Sequence, residues 1–161
     1  MAFYYTLIRD IAAYLIVVPA LLVVVAILGR RSLLSDAAAA ALGGACCVVL
    51  VKLAGALYTH PRPFVVEHSV PMLPHVADNA FPSDHLAACG LAVAFLWNRD
   101  RRLALLALGC AGLIGYARVA ARLHWPIDVV VGFALGMAGM LLAAGLIGLL
   151  HRRQRSGFLG S

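Results

Sequence analysis

Residues 81–97, FPSDHLAACGLAVAFLW, place a proline, a hydroxyl, a carboxylate and an imidazole directly before an apolar run. Serine and aspartate are favoured helix N-caps, so this stretch predicts a helix that begins at Ser83 or Asp84 and continues through the apolar residues. The helix is short for a membrane span, and we expect its polar start to lie at a membrane interface.

The composition indicates an integral membrane protein. Of the 161 residues, 63% are hydrophobic and only 12% are charged, whereas a soluble domain keeps a more polar surface. Since a span needs ~20 apolar residues, we predict an all-α, multi-pass bundle in one domain over residues 1–161. The predicted spans are residues 11–29, 36–58, 84–98, 103–121 and 127–150. We expect no cleaved signal peptide, because a basic n-region is lacking, and a disordered tail over 155–161.

The charge distribution predicts an orientation. The net charge is +6, and eight of the thirteen basic residues fall in three clusters at span ends. These are Arg30 and Arg31; Arg99, Arg101 and Arg102; and Arg152, Arg153 and Arg155. Five spans put all three clusters on one face, which the positive-inside rule makes cytoplasmic, with the N-terminus outside and the C-terminus inside. The charge therefore indicates a bilayer as partner and not a nucleic acid.

Several small or special residues indicate packing. The four cysteines (Cys46, Cys47, Cys89 and Cys110) lie within predicted spans without metal-ligand spacing, so we expect reduced, packed thiols. Gly132, Gly136 and Gly139 predict a small face for close helix packing. Pro19 predicts a kink in the first span.

Four residues that are far apart in sequence are predicted to lie at a similar depth in the membrane. Lys52 lies 16 residues into the second span and Arg118 lies 15 into the fourth, roughly 24 Å and 22 Å from the cytoplasmic face. His85 and Asp128 open the third and fifth spans from the outer side. Lys52 or Arg118 alone could be a snorkelling side chain. Their convergence with the others favours a site near the outer boundary.

Residues 59–82 form the predicted cap of this site. The segment holds five of the seven prolines, so it is not a regular helix. Non-helical backbone near membrane depth is tolerated where it is buried in protein or lines a wet cavity. With HPRPF at one end and FPSDH at the other, the segment is predicted to fold over the polar cluster.

Three cationic side chains in one pocket predict a ligand that is an anion with several oxygen atoms. These side chains are Lys52, Arg62 and Arg118. The guanidinium fork matches phosphate oxygens, and backbone N–H groups at the helix start near Ser83 would add donors.

The segment RVAARLHWPID, residues 118–128, supplies reactive groups. Pro126 suits the first helical turn, and Asp128 is then placed to reach back and accept the His124 N–H, leaving the other ring nitrogen free to attack phosphorus. His85 would protonate the leaving oxygen and then activate water. The alternative is a purely structural role, in which Asp128 caps the helix and His124 is a hydrogen-bonded histidine. In a metal alternative His85, His124 and Asp128 would be ligands, but the fixed cations would repel a divalent ion.

These residues resemble the type 2 phosphatidic acid phosphatase superfamily. PSDH, residues 82–85, is similar to its P-S-G-H motif, and residues 117–128 are similar to S-R-x5-H-x3-D. Its K-x6-R-P motif is matched at Arg62–Pro63 only. The resemblance implies His124 as nucleophile, His85 as acid and Asp128 as partner of His124. It also implies that Arg62, Arg118 and Ser83 hold the phosphoryl group, without metal or cofactor.

The chain departs from the family pattern at three positions. The family lysine would fall at Gly55, one helical turn from Lys52, which shares its face. Ala117 replaces serine, and Asp84 replaces glycine and adds a negative charge beside the phosphate. PSDH together with PRPF is similar to the bacitracin-resistance type of undecaprenyl-diphosphate phosphatases. The family usually has six spans, which allows an interfacial helix around Ala2–Ile8.

We therefore expect a membrane phosphatase that converts undecaprenyl diphosphate into the monophosphate and inorganic phosphate on the extracytoplasmic face. Alternatives in the same class are a phosphatidate or phosphatidylglycerophosphate phosphatase and a lipid phosphotransferase. An anion or lipid transporter is the alternative from another class, although no inverted repeat is evident. The remaining polar residues of the cap are expected to be solvated, or to contact a second phosphate. They are His60, Glu67, His68, His75 and Asp78.

Overall fold

The computed structural model describes residues 1–158, which form helices and connecting segments without a β-strand in this range. The helices are α1 (Ala2–Tyr14), α2 (Val17–Leu28), α3 (Leu33–Leu57), α4 (Pro63–Val66), α5 (Asp84–Trp97), α6 (Arg101–Ala120) and α7 (Pro126–Phe158). The predicted all-α class is confirmed.

Four helical stretches within the described residues are long and apolar enough to cross a membrane, and α5 is a shorter apolar helix. They are Phe3–Leu28, Leu33–Leu57, Arg101–Ala120 and Pro126–Leu150. Each predicted span therefore corresponds to helix, but the first begins at Phe3 and not at residue 11. The segment considered as an interfacial helix, Ala2–Ile8, is part of α1 and continues towards α2.

A break at Leu15 and Ile16 separates α1 from α2. Pro19 has no N–H to donate to the carbonyl of Leu15, which instead accepts from Val18 N at 3.0 Å. The helix is thus interrupted four residues before Pro19, the residue for which a kink was predicted. The break also ends α1 near Ala12, whose carbonyl becomes a contact of the candidate site.

The short helix α5 lies in the centre of the bundle and packs closely on α7. An added Cβ at Gly136 would clash with the carbonyl of Ala87, and one at Gly132 would clash with the carbonyl of Ser83. Gly90 on α5 likewise faces the carbonyl of Phe133. These glycines permit contact between the two backbones, in agreement with the predicted small face for close helix packing. The contact fixes the start of α5 against the start of α7.

The cap joins α3 to α5 and contacts the α6–α7 turn. Its two ends meet in a single bridge between Pro61 and Asn79, and Phe64 N donates to Arg122 O at 3.2 Å. This contact holds the cap over the residues that precede α7.

The opposite end of the bundle carries the basic clusters of the α2–α3 and α5–α6 turns. Buried Asp36 accepts hydrogen bonds there from Arg30 Nε at 3.1 Å and Arg99 Nε at 2.9 Å. Helix α7 continues at this end to Phe158, through part of the predicted tail. Residues 159–161 of that tail lie outside the described residues.

Candidate active site

A cavity of about 440 Å³ lies between the cap and helices α3, α5 and α6. Six of the eight residues predicted for the site line it: Lys52, Arg62, Asp84, His85, Arg118 and His124. The imidazoles of His85 and His124 therefore face one compartment. The other two, Ser83 and Asp128, are fully buried behind its wall.

The contacts of His124 select one tautomer of its ring. Its Nδ1 lies 2.8 Å from the carbonyl oxygen of Ala80, which can only accept, so Nδ1 carries the hydrogen. Its Nε2 lies 3.1 Å from Nη2 of Arg118, which can only donate, so Nε2 presents a lone pair. An unprotonated Nε2 at a cavity wall is the form that a nucleophilic histidine requires.

The electrostatic surroundings keep this ring neutral. Burial and the positive charges of Arg118 and Arg62 lower the pKa of His124 from its ordinary value to about 3. The lone pair on Nε2 is therefore available throughout the physiological pH range.

The predicted hydrogen bond between His124 and Asp128 is not present. His124 Nδ1 is 3.9 Å from Asp128 Oδ2, because the ring points its N–H at Ala80. Asp128 does reach back as predicted, since its Oδ2 accepts from Trp125 N at 2.8 Å at the start of α7. Its Oδ1 pairs with His60 Nδ1 at 2.8 Å.

Both arginines are buried and held by backbone oxygens. Arg118 Nη1 donates to Ala12 O at 3.3 Å, in the last turn of α1, where carbonyls lack intrahelical partners. Arg62 donates to Leu123 O at 2.8 Å and, through Nε, to Asp78 Oδ1 at 2.7 Å. Fixed guanidinium groups of this kind are suited to a phosphate, whose oxygens they can bind in pairs.

The backbone N–H of Ser83 was expected to face a phosphate, but the structure gives it a different partner. It occupies the N-cap of α5, but its N–H donates to Asp128 O at 3.0 Å because Gly132 lets the two backbones touch. Its hydroxyl and the Nε of Arg118 are buried without a hydrogen-bond partner among residues 1–158. Such atoms are costly unless an acceptor reaches them, so both are candidate donors for an anion.

Lys52 and Gly55 lie on the same face of α3, and both line the cavity. A Cβ at Gly55 would lie 3.2 Å from the carbonyl of Phe81, so the cap leaves little room for a long side chain there. Lys52, one turn deeper, is exposed and lines the cavity. Asp84 is exposed at the same wall and places one carboxylate among the cations.

The polar residues of the cap differ from each other in position. His75 and Asp78 line the cavity, and partial burial together with the charges of Arg62 and Arg118 lowers the pKa of His75. His68 and Glu67 are exposed outside it, where Glu67 pairs with Arg122 at 2.7 Å. His60 is only partly solvated, because its ring is 22% exposed and forms a hydrogen bond with Asp128. Nothing local in the sequence around His60 indicates that contact.

The alternative of a metal bound by His85, His124 and Asp128 has little geometric support. Among the described residues, no group of three or more histidine, cysteine, aspartate or glutamate side chains is arranged to hold an ion. Asp128 is occupied by His60 and Trp125, while His124 Nε2 faces a guanidinium.

Comparison with known proteins extends these observations. A family model described as the PAP2 superfamily matches residues 32–152. The chain is similar to the putative undecaprenyl-diphosphatase YbjG of Escherichia coli strain K12, with 42% identity over 91 residues, covering 55% of this chain and 46% of that protein. It is also similar to the undecaprenyl-diphosphatase BcrC of Bacillus subtilis strain 168, with 34% identity over 106 residues, covering 65% and 50%.

The chain spans about half the length of these curated relatives. Among solved structures, the crystal structure of Aquifex aeolicus LpxE superposes with a TM-score of 0.68. That similarity covers 88% of this chain and 84% of the other at 23% sequence identity, and it therefore concerns the fold.

Proposed function

Since this chain belongs to the PAP2 superfamily, we propose that it is an integral membrane phosphatase that removes the terminal phosphate of a lipid diphosphate. The observation that carries the proposal is the unprotonated Nε2 of His124, which faces a cavity shared with His85 and two buried arginines. The favoured substrate is undecaprenyl diphosphate, because two similar proteins carry the name undecaprenyl-diphosphatase.

In the first step, His124 Nε2 attacks the terminal phosphorus and the bond from this phosphorus to the bridging oxygen breaks. His85, which takes up a proton when the anionic diphosphate binds beside it, gives that proton to the bridging oxygen, so the lipid monophosphate departs. Arg118 exchanges its contact with Nε2 for a phosphate oxygen. Arg62, Lys52 and the hydroxyl of Ser83 supply further donors for the developing charge.

In the second step, the phosphohistidine is hydrolysed. The now neutral His85 accepts a proton from water, and the resulting hydroxide attacks phosphorus as the bond to Nε2 breaks. Inorganic phosphate leaves, His85 is again protonated, and the Nε2 lone pair is restored. Ala80 holds the Nδ1 hydrogen in both steps, so the ring does not need to change its tautomer.

We propose that the cavity faces the extracytoplasmic side. The basic turns lie at the end of the bundle opposite to the cap, and positive clusters favour the cytoplasm. A lipid headgroup in the outer leaflet would then meet the polar start of α5.

Phosphate release from undecaprenyl diphosphate by the purified protein in detergent, with chelator present, tests the proposal. We expect turnover by the natural chain and none by His124→Ala. Loss of activity in chelator would support the metal alternative. Full activity of His124→Ala would contradict the assignment of His124 as the nucleophile. Parallel assays with phosphatidate and phosphatidylglycerophosphate rank the substrates.

A matched control is His68→Asn. His68 is a cap histidine outside the cavity, and asparagine tolerates its backbone φ of 50°. We expect this variant to retain activity.

A further inference from the structure

The buried carboxylate of Asp128 has a partner that its own motif does not contain. Asp128 has no exposed surface, and its two oxygens accept from Trp125 N and from His60 Nδ1, each at 2.8 Å. An ionised carboxylate can only accept, so His60 Nδ1 carries the hydrogen. The group that satisfies Asp128 therefore comes from the cap, 68 residues away in the chain.

The His60 ring is held in place on several sides. It stacks on the indole of Trp125 with 5.6 Å between ring centroids and an interplanar angle of 25°, and it lies 5.6 Å from the ring of Tyr58. Its backbone N–H donates to Asn79 Oδ1 at 2.8 Å. Trp125 is itself tied to the cap, because its Nε1 donates to Pro61 O at 2.9 Å.

His60 also contacts the residue that orients His124. Ala80 N donates to His60 O at 2.8 Å, and Ala80 O accepts from His124 Nδ1 at 2.8 Å. His60 is thus linked to the candidate nucleophile through the Asp128 carboxylate on one side and through the Ala80 peptide on the other.

We propose that His60 is a positioning residue for His124, an inference that rests on the proposed function of the site. The His60 ring donates a hydrogen bond to the Asp128 carboxylate. Because this carboxylate then has a donor, it does not compete with Ala80 O for the His124 N–H. The His60 backbone fixes Ala80, whose carbonyl holds the hydrogen on Nδ1 and directs Nε2 into the cavity. His60 does not line the cavity, so it acts on turnover without touching substrate.

Removal of the His60 ring leaves Asp128 Oδ1 buried without a donor. The N–H of His124 is then a donor close to this carboxylate, since its Nδ1 lies 3.9 Å from the other carboxylate oxygen. A movement of the His124 ring towards Asp128 would turn its Nε2 away from the phosphorus atom that it attacks. Because displacements of about 1 Å at a reacting group can cost ~100-fold in rate, we expect a loss in kcat and not in KM.

Three variants test the proposal: His60→Ala, His60→Asn and the control His68→Asn. The asparagine amide nitrogen can take the place of Nδ1, so His60→Asn should retain most of the activity. We expect His60→Ala to lose roughly 10- to 100-fold in kcat with KM within about twofold of the natural chain. Thermal unfolding of each variant in detergent separates this loss from misfolding.

A second readout does not depend on turnover. In 15N spectra of histidine-labelled protein without substrate, His124 should be an Nδ1–H tautomer in the natural chain and in both variants of His60. Its Nδ1 signal should shift in His60→Ala, where the acceptor becomes the Asp128 carboxylate, but not in His60→Asn. Unchanged kcat in His60→Ala, a change confined to KM, or equal loss in the two variants of His60 would overturn the proposal. Absence of turnover in the natural chain with the expected spectra would instead contradict the proposed function alone.

Discussion

At the scale of single residues, the protonation state of His124 is the feature on which the chemistry depends. Its two nitrogens meet one acceptor and one donor, and burial with two guanidinium charges lowers the pKa of the ring to about 3. A lowered pKa means that the ring stays neutral as the pH falls through the ordinary histidine range. We predict that the 15N signals of His124 do not change between pH ~8 and ~5. Titration of His124 near its ordinary value would contradict this.

Lys52 is the second residue whose role is testable by itself. It lines the cavity one turn below the position of the family lysine, and no other residue of the described α3 brings a cation to that wall. We predict that Lys52→Ala raises KM about tenfold with a smaller effect on kcat, because a charged hydrogen bond to phosphate is lost. Lys52→Arg should retain most of the affinity. An unchanged KM in Lys52→Ala would place the substrate away from this wall.

At the scale of elements, the contact between α5 and α7 positions the two ends of the site. Gly136 allows the carbonyl of Ala87 to touch α7, and a Cβ there would force the helices apart. We predict that Gly136→Ala destabilises the protein by ~1–3 kcal/mol and lowers activity, because His85 lies in the first turn of α5.

Gly148→Ala is the matched control on the same helix. A Cβ at Gly148 has nothing within 4 Å, so this variant should keep the melting temperature and activity of the natural chain. Equal melting temperatures for the two alanine variants in detergent would contradict the close packing.

The elements were largely predictable from the sequence, and the pairings between them were not. Apolar runs and the proline at the start of α7 predicted the helices, since these signals are local. The partner of Asp128 depends on how the cap returns through its bridge at Pro61 and Asn79, which is a contact between distant parts of the chain. His60 therefore carried no local signal. The backward reach of Asp128 was predicted because a capping box is local, but the donor that it meets is Trp125 N and not the predicted His124 ring.

At the scale of the whole molecule, the orientation in the bilayer decides which leaflet supplies the substrate. Val70 in the cap is 90% exposed, and exposed Asn98 lies at the opposite end, between α5 and α6. We predict that an impermeant maleimide labels Val70→Cys in intact cells and labels Asn98→Cys only after permeabilisation. The natural chain is the control, since its four cysteines lie within the predicted spans. The reverse labelling pattern would place the cavity on the cytoplasmic side.

The proposed chemistry requires that the assembled cavity makes His124 Nε2 a nucleophile towards the terminal phosphate of a lipid diphosphate. Rapid quenching of the protein with substrate labelled on that phosphate, followed by peptide mapping, would detect the covalent intermediate. We expect an acid-labile label on the peptide that contains His124, and no label in His124→Ala. Label on another residue, or turnover of the natural chain with no labelled protein at any time, would contradict the proposed chemistry.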